Sequence, residues 1–393
     1  MTLMNHGQAR RAESHAPSAR SSRRGARGTR PAAPTPSSPD VVSTASSARS
    51  AQEAVGHDDG VETPAPPREL VLAKAITAAL HDELAADPRT LLIGEDIGAL
   101  GGVFRVTDGL QKEFGPRRVI DSPLAESGIV GTSIGLAMRG HRPVAEIQFD
   151  GFVFPAFNQI TTQLAKISSR TAGKVHLPVT IRLPYGGSIG SIEHHSESPE
   201  ALFAHTAGLR IITPSNAHDA YWMTRQAVRC EDPVIILEPK RRYWLKGMVD
   251  FSTPAQDAFT AQVVREGTDA TIACYGPLVP VALAAAEAAA QDGRSIEVVD
   301  VRSISPLDDE TIARSAAKTQ RLIVAHEAPT FGGFGAEIAA RVSERAHHRL
   351  VAPVLRVGGF HMPYPPSQQE HRYLPDIDRM LEAVDRSFSH PRR

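Results

Sequence analysis

Residues 121–138, DSPLAESGIVGTSIGLAM, place one carboxylate, Glu126, at the mouth of a helix in which nothing else ionises. Gly128, Gly131 and Gly135 recur on roughly one face of that helix. Each interior glycine costs about 0.5–1 kcal/mol relative to alanine, so the pattern predicts a compensating close approach by another element. Between the turn at Pro123 and an apolar helix, the glutamate is expected to be poorly hydrated. Poor hydration favours its neutral form, while the helix N-terminal dipole favours the charged one. A carboxyl group so balanced suits general acid–base chemistry. A first-turn glutamate that only complements the helix dipole is the plainer reading, and from the local residues both stand.

Outward from this helix, short apolar runs lie on either side, at 90–93 and 143–149. Further strand candidates follow at 179–183, 210–213 and 234–237. Before them, 69–86 reads as a helix with Leu72, Ile76, Leu80 and Leu84 on one stripe. Another helix is expected to start at Pro155, a residue suited to a first helical turn, with Phe157, Ile160, Leu164 and Ile167 facing inward. A third covers 217–229. Strand alternating with helix predicts a mostly parallel sheet covered on both faces, with ligand sites at the carboxyl ends of its strands.

Residues 241–262 lack a clear period and read as a connection. A second α/β unit begins at 263, with strands at 270–275, 296–301, 322–326 and 354–357. Helices are expected at 279–291, 308–317, 335–346 and 377–386. The fold class is therefore α/β, two consecutive parallel-sheet domains at 68–240 and 263–393, preceded by a tail. The tail, 1–67, is rich in Arg, Ser, Ala and Pro and is expected to be disordered. Its arginines resemble an organelle transit peptide, but no clear amphipathic helix accompanies them, and a solvated extension or an early start codon is the other reading.

With 43 basic and 44 acidic side chains, the chain has no electrostatic case for nucleic acid or an anionic membrane as its main partner. Two cysteines, Cys230 and Cys274, with no metal-ligand spacing, suit a reducing compartment such as the cytoplasm, or the mitochondrial matrix if the tail is a transit peptide. The longest alanine-rich run, 279–290, is too short for a membrane span.

Chemistry also concentrates in residues 186–200, GGSIGSIEHHSESPE, a loop following a strand. Adjacent histidines on an extended chain point in different directions, so one of His194 and His195 at most is expected to face a pocket. No HExxH motif or Cys/His set supports zinc, which leaves proton handling near neutral pH or a plain surface loop. Gln148 to Phe154, QFDGFVF, crowd aromatics at a strand end. Gly332-Gly333-Phe334-Gly335 matches neither GxGxxG nor a P-loop and reads as a tight turn feeding a helix. No stretch supplies a phosphate cradle, so the phosphates of any charged cofactor fall to a partner or to another molecule of the same chain.

From about Leu70 onward the blocks LLIGEDIGALGGVFRVTDGLQKEFG, RVIDSPLAESGIVG, RPVAEIQFDGFVFPAFNQI, HHSESPEA, DPVIILEPK, VDVRSISPLD and HEAPTFGGFGAEI occur in order. Together they resemble the beta subunit of the thiamine-diphosphate-dependent 2-oxoacid dehydrogenases. The branched-chain 2-oxoacid dehydrogenase is nearest, and some pyruvate dehydrogenase beta subunits share the GGVFR and EIQF wording. The resemblance implies a transketolase-like pyrimidine-binding domain followed by a transketolase C-terminal domain. It also implies an α2β2 heterotetramer whose alpha subunit holds Mg2+ and diphosphate through a GDG-type motif that is absent here. A small 2-oxoacid would be decarboxylated and its acyl group passed to a lipoyl-bearing acyltransferase core.

Residue by residue, Glu126 matches the glutamate that hydrogen-bonds N1' of the cofactor's aminopyrimidine. Phe152 matches the aromatic stacked on that ring, often tyrosine in the family, and Leu124 and Gln148 line the same pocket. His195 matches the active-site histidine of an HSQS-like motif that reads HHSES here, with Glu197 in place of glutamine. A monovalent cation, K+, is implied near Thr180 and the Asp232–Pro233 loop, held largely by backbone carbonyls. A non-catalytic scaffold subunit is the alternative of another class.

Overall fold

In the computed structural model, residues 66–390 are described, so the expectation for the tail lies almost entirely outside them. A seven-stranded sheet runs in the order Ser303–Ser305, Arg210–Ile212, Val234–Pro239, Thr180–Tyr185, Arg142–Glu146, Thr90–Gly94, Val119–Asp121. All neighbours pair in parallel except Ser303–Ser305, an antiparallel edge lent by the C-terminal half of the chain. The five-stranded sheet runs Leu355–Gly359, Leu322–Pro329, Ala270–Cys274, Ile296–Asp300, Gln262–Arg265, the last antiparallel. Strands such as Thr90–Gly94, Thr180–Tyr185 and Val234–Pro239 are buried at every residue, which is why they read as continuous apolar runs rather than alternating ones.

Helices pack on these sheets where periodicity predicts them. Ala217–Arg229, Val279–Gln291 and Gly335–Ala346 stand at the expected residues. One hydrophobic cluster joins the two sheets, running from Ile93, Ile129 and Ile181 to Val299, Val324 and Ile338. No helix among the described residues is long and apolar enough to cross a membrane.

Three local expectations are corrected. The segment at 69–86 begins as strand Arg68–Val71, and only Leu72–Ala86 is helical. The strand pairs with Lys246–Val249, inside the stretch read as an aperiodic connection, so a partner about 180 residues away in sequence overrides local helical preference. Around Pro155 the chain forms a 3₁₀ segment, Asp150–Ala156, then a π-helical one, Gln159–Leu164, instead of one α-helix. Phe157, Ile160, Leu164 and Ile167 nevertheless reach the core.

The third correction concerns the glycine face of helix Glu126–Met138. The helix buries Ile129, Val130, Ile134 and Ala137. A Cβ built on Gly131 or Gly135 would meet nothing, and one on Gly128 only the Ala125 methyl at 3.5 Å. Within this chain the glycines face open space, because the apolar stripe turns the opposite side to the sheet.

Candidate functional site

The predicted residues gather at the carboxyl ends of strands Thr90–Gly94, Arg142–Glu146 and Thr180–Tyr185, the edge at which parallel sheets collect ligands. Glu126 opens its helix and is 7% exposed. Its carboxylate takes no hydrogen bond from any described residue. Glu95, in the turn after Thr90–Gly94, is pushed up by burial, with Asp96 and then Glu126 adding negative charge. Gln148 donates to the Glu95 carbonyl and to Asp96 Oδ2, each at 3.3 Å, and so ties this turn to the next strand end.

Phe149, Phe152 and His195 form an aromatic cluster beside that carboxylate-rich edge. Phe152 meets Phe149 edge-on at 5.8 Å and His195 edge-on at 5.0 Å, while His195 stacks on Phe149 at 4.1 Å between centroids. The histidines lie in a 3₁₀ turn, Glu193–His195, not on extended chain, and their rings are 4.2 Å apart. The expectation that they diverge therefore fails, because 3₁₀ backbone lacks the two-fold alternation of a strand. His195 Nδ1 lies 3.0 Å from the His194 carbonyl, which only accepts, so the network assigns the proton to Nδ1 and leaves Nε2 as an acceptor. Burial lowers the His195 pKa, and His194 and Lys240 add to the effect against the backbone bond. Burial thus favours the neutral imidazole.

Beneath this cluster lies a buried polar layer that sequence reasoning missed. Arg182, 1% exposed, pairs with Glu146 and bonds both carboxylate oxygens of Glu238, at 2.7 and 2.9 Å; Tyr243 also donates to Glu238 at 2.5 Å. Burial raises Glu146, with Arg182 opposing it. Burial also works against the Arg182 charge, but Glu238 and Glu146 outweigh it and raise its pKa. The signal was available: each of three neighbouring apolar strands carries a charged residue, Glu146, Arg182 and Glu238. A second pair, Asp150 with Lys240, is likewise buried.

Other predicted residues stand apart. Leu124, in the turn before Glu126, is 72% exposed and is not packed with the aromatic cluster. Thr180 is buried at the start of its strand. The Asp232 carboxylate is engaged by Arg210 Nε at 2.9 Å. The Pro233 and Val179 carbonyls accept backbone bonds from Arg210 and Val234. No group of three or more His, Cys, Asp or Glu among the described residues is arranged to hold a metal ion. Gly333 and Gly335 lie where a Cβ would press on the His326 ring at 2.6 Å, so these glycines serve close packing in a turn feeding helix Gly335–Ala346.

The family model for the transketolase pyrimidine binding domain matches residues 68–244, and that for the transketolase C-terminal domain matches residues 260–380. The chain is 59% identical over 323 residues to the pyruvate dehydrogenase E1 component subunit beta of Leifsonia xyli subsp. xyli, covering 82% of this chain and 96% of that protein. It is 51% identical over 325 residues to the 3-methyl-2-oxobutanoate dehydrogenase subunit beta of Mycobacterium tuberculosis, covering 82% and 93%. Among solved structures, a split gene transketolase described as an inactive beta4 tetramer superposes with a TM-score of 0.67 at 22% identity, over 82% of this chain and 99% of the other. That last likeness shows the fold alone.

Proposed function

We propose, from the premise that this chain belongs to the beta subunits of the 2-oxoacid dehydrogenase E1 components, built on transketolase pyrimidine-binding and C-terminal domains, that it forms the pyrimidine side of a thiamine diphosphate site completed by an alpha subunit. The observation that carries the site assignment is Glu126, a residue only 7% exposed at the carboxyl edge of the sheet, whose carboxylate has no bonding partner among the described residues. A ring nitrogen supplied from outside the chain can share a proton with that unpartnered carboxyl group. The cofactor, when bound, supplies a nucleophilic carbon that adds to the 2-oxo group and takes up the electron pair left by decarboxylation.

The chain's own residues act around that centre. Glu126 would hydrogen-bond the pyrimidine N1', in a setting where exclusion of water strengthens the coupling. Phe152 would cover the ring face, and Gln148 fixes the Glu95–Asp96 turn. His195, with Nε2 open, would handle a proton when an acyl group passes to a lipoyl-bearing acyltransferase. Magnesium and the diphosphate fall to the alpha subunit in an α2β2 assembly, since this chain carries no GDG motif. A potassium ion near Thr180 and the Asp232–Pro233 loop would rest on backbone carbonyls, because the Asp232 side chain is already paired. The bacterial relatives favour a cytoplasmic setting.

The test is Glu126→Gln in the α/β pair: assembly stays intact and turnover is lost. Undiminished turnover would favour the scaffold reading. For substrate we carry forward the branched-chain 2-oxoacids. Pyruvate is the second reading, supported equally by the relatives through the Leifsonia protein. Rates on 3-methyl-2-oxobutanoate against pyruvate decide, and a clear preference for pyruvate rejects the first choice.

A further inference from the structure

The loop that carries His195 has few apolar anchors of its own, yet its histidine stacks on Phe149 with a defined ring geometry. Asp150, 1% exposed, sits one residue beyond Phe149 in the 3₁₀ segment Asp150–Ala156. Its Oδ2 accepts the Glu197 backbone N–H at 2.8 Å, two residues past His195. Its Oδ1 is in contact with Lys240 Nζ, which belongs to the turn after strand Val234–Pro239 and is 2% exposed. Lys240 also lies 5.5 Å from the centre of the Phe149 ring, on which His195 rests. Gly151 completes the arrangement, because a Cβ there would overlap the carbonyl of His194.

We propose that the buried Asp150–Lys240 pair is a positioning device for His195: Lys240 compensates the Asp150 charge, Asp150 clamps the loop through the Glu197 N–H, and Gly151 lets the loop seat against the Phe149–Phe152 wall. Burying an unpaired carboxylate is costly, and Lys240 offsets that cost for Asp150 while leaving Oδ2 free to accept the Glu197 N–H. Burial pushes Asp150 up to about 6 and Lys240 below its ordinary value, and their mutual attraction opposes both shifts. Glu327, from the second sheet, adds a further negative charge facing Lys240. The proposal rests on the reading of His195 as the proton-handling group of acyl transfer.

Its test separates the two half-reactions in the assembled α/β enzyme. Decarboxylation is followed with an artificial electron acceptor, and acyl transfer with a lipoyl domain. In Asp150→Ala/Lys240→Met, which leaves no buried charge unpaired, acyl transfer falls at least about tenfold while decarboxylation stays within about twofold. Asp150→Asn/Lys240→Met restores an acceptor oxygen and recovers most of the transfer rate. Adding His195→Asn to the Ala/Met variant lowers transfer little further, because clamp and histidine act as one unit. Wild-type transfer in the Ala/Met variant, or an equal fall of both half-reactions, overturns the proposal. If that variant fails to assemble, Gly151→Ala decides by the same ratio, with an unchanged ratio as the overturning result. If His195→Asn alone leaves transfer intact, the reading of the histidine fails, a result distinct from failure of the clamp.

Discussion

Glu126 and Arg182 are both buried charged groups close to the same sheet edge, and their surroundings are opposite. Arg182 is closed in by Glu146, Glu238 and, through Glu238, Tyr243, so its bonding is complete within the chain. Glu126 has no such partner among the described residues, and Gly131 and Gly135 behind it meet none of them. A closed network makes a rigid floor, because removing any member strands the others in a low-dielectric interior. An open carboxylate is free to take a partner from outside the chain, which is the role proposed for Glu126. Burial alone does not tell these roles apart; the partner list does.

The largest effect should come from breaking the closed side. Arg182→Met leaves Glu146 and Glu238 buried and unpaired and is expected to cost about 3–5 kcal/mol in denaturant unfolding. Combining it with Glu146→Gln and Glu238→Gln should recover much of that loss. On the open side the same kind of change moves activity instead. Glu126→Gln is expected to lower turnover by about 100-fold or more, with a thermal midpoint close to that of the parent protein. A large loss of stability in that variant would show that the carboxylate has a partner after all.

A third, smaller effect lies away from the site and depends on pH. Asp300 is fully buried, and burial, with Asp219 adding to it, pushes its pKa up to about 7. Ser215 Oγ donates to it at 2.5 Å and opposes the shift. A carboxyl group whose folded pKa exceeds its unfolded value binds more protons when folded, so its contribution to stability falls as pH rises from about 4 to about 7. Asp300→Asn removes that dependence. Thermal melts should show the midpoint of the variant minus that of the parent rising between about pH 5 and pH 7, and a difference that falls with rising pH would contradict the assignment. The smallest effect is expected from Phe152→Tyr, which keeps the ring and should leave turnover within about threefold. Phe152→Ala, measured alongside it, should fall well below.

Much of this was legible in the residues. The helices at Ala217–Arg229, Val279–Gln291 and Gly335–Ala346 follow from apolar spacing and breakers a few positions apart. Glu126 stood out as the sole ionisable group in an apolar helix, and the HHSES block drew attention to His195. What escaped was whatever depended on distant partners. Arg68–Val71 is a strand because Lys246–Val249 lies beside it, and the helix expected from Pro155 gives way to 3₁₀ and π turns where the His194 loop crowds Gly151.

The sequence by itself determined the order and kind of most elements, because side-chain periodicity and turn chemistry act over a few residues. It also marked the apolar helix whose only carboxylate is Glu126. Tertiary structure alone decided which charges meet: Glu146 with Arg182 36 positions on, Arg182 with Glu238 56 positions on, Asp150 with Lys240 90 positions on. Those pairings follow from which strands become neighbours and in what register, and the free energy that selects them belongs to the assembled core, not to any local stretch of chain.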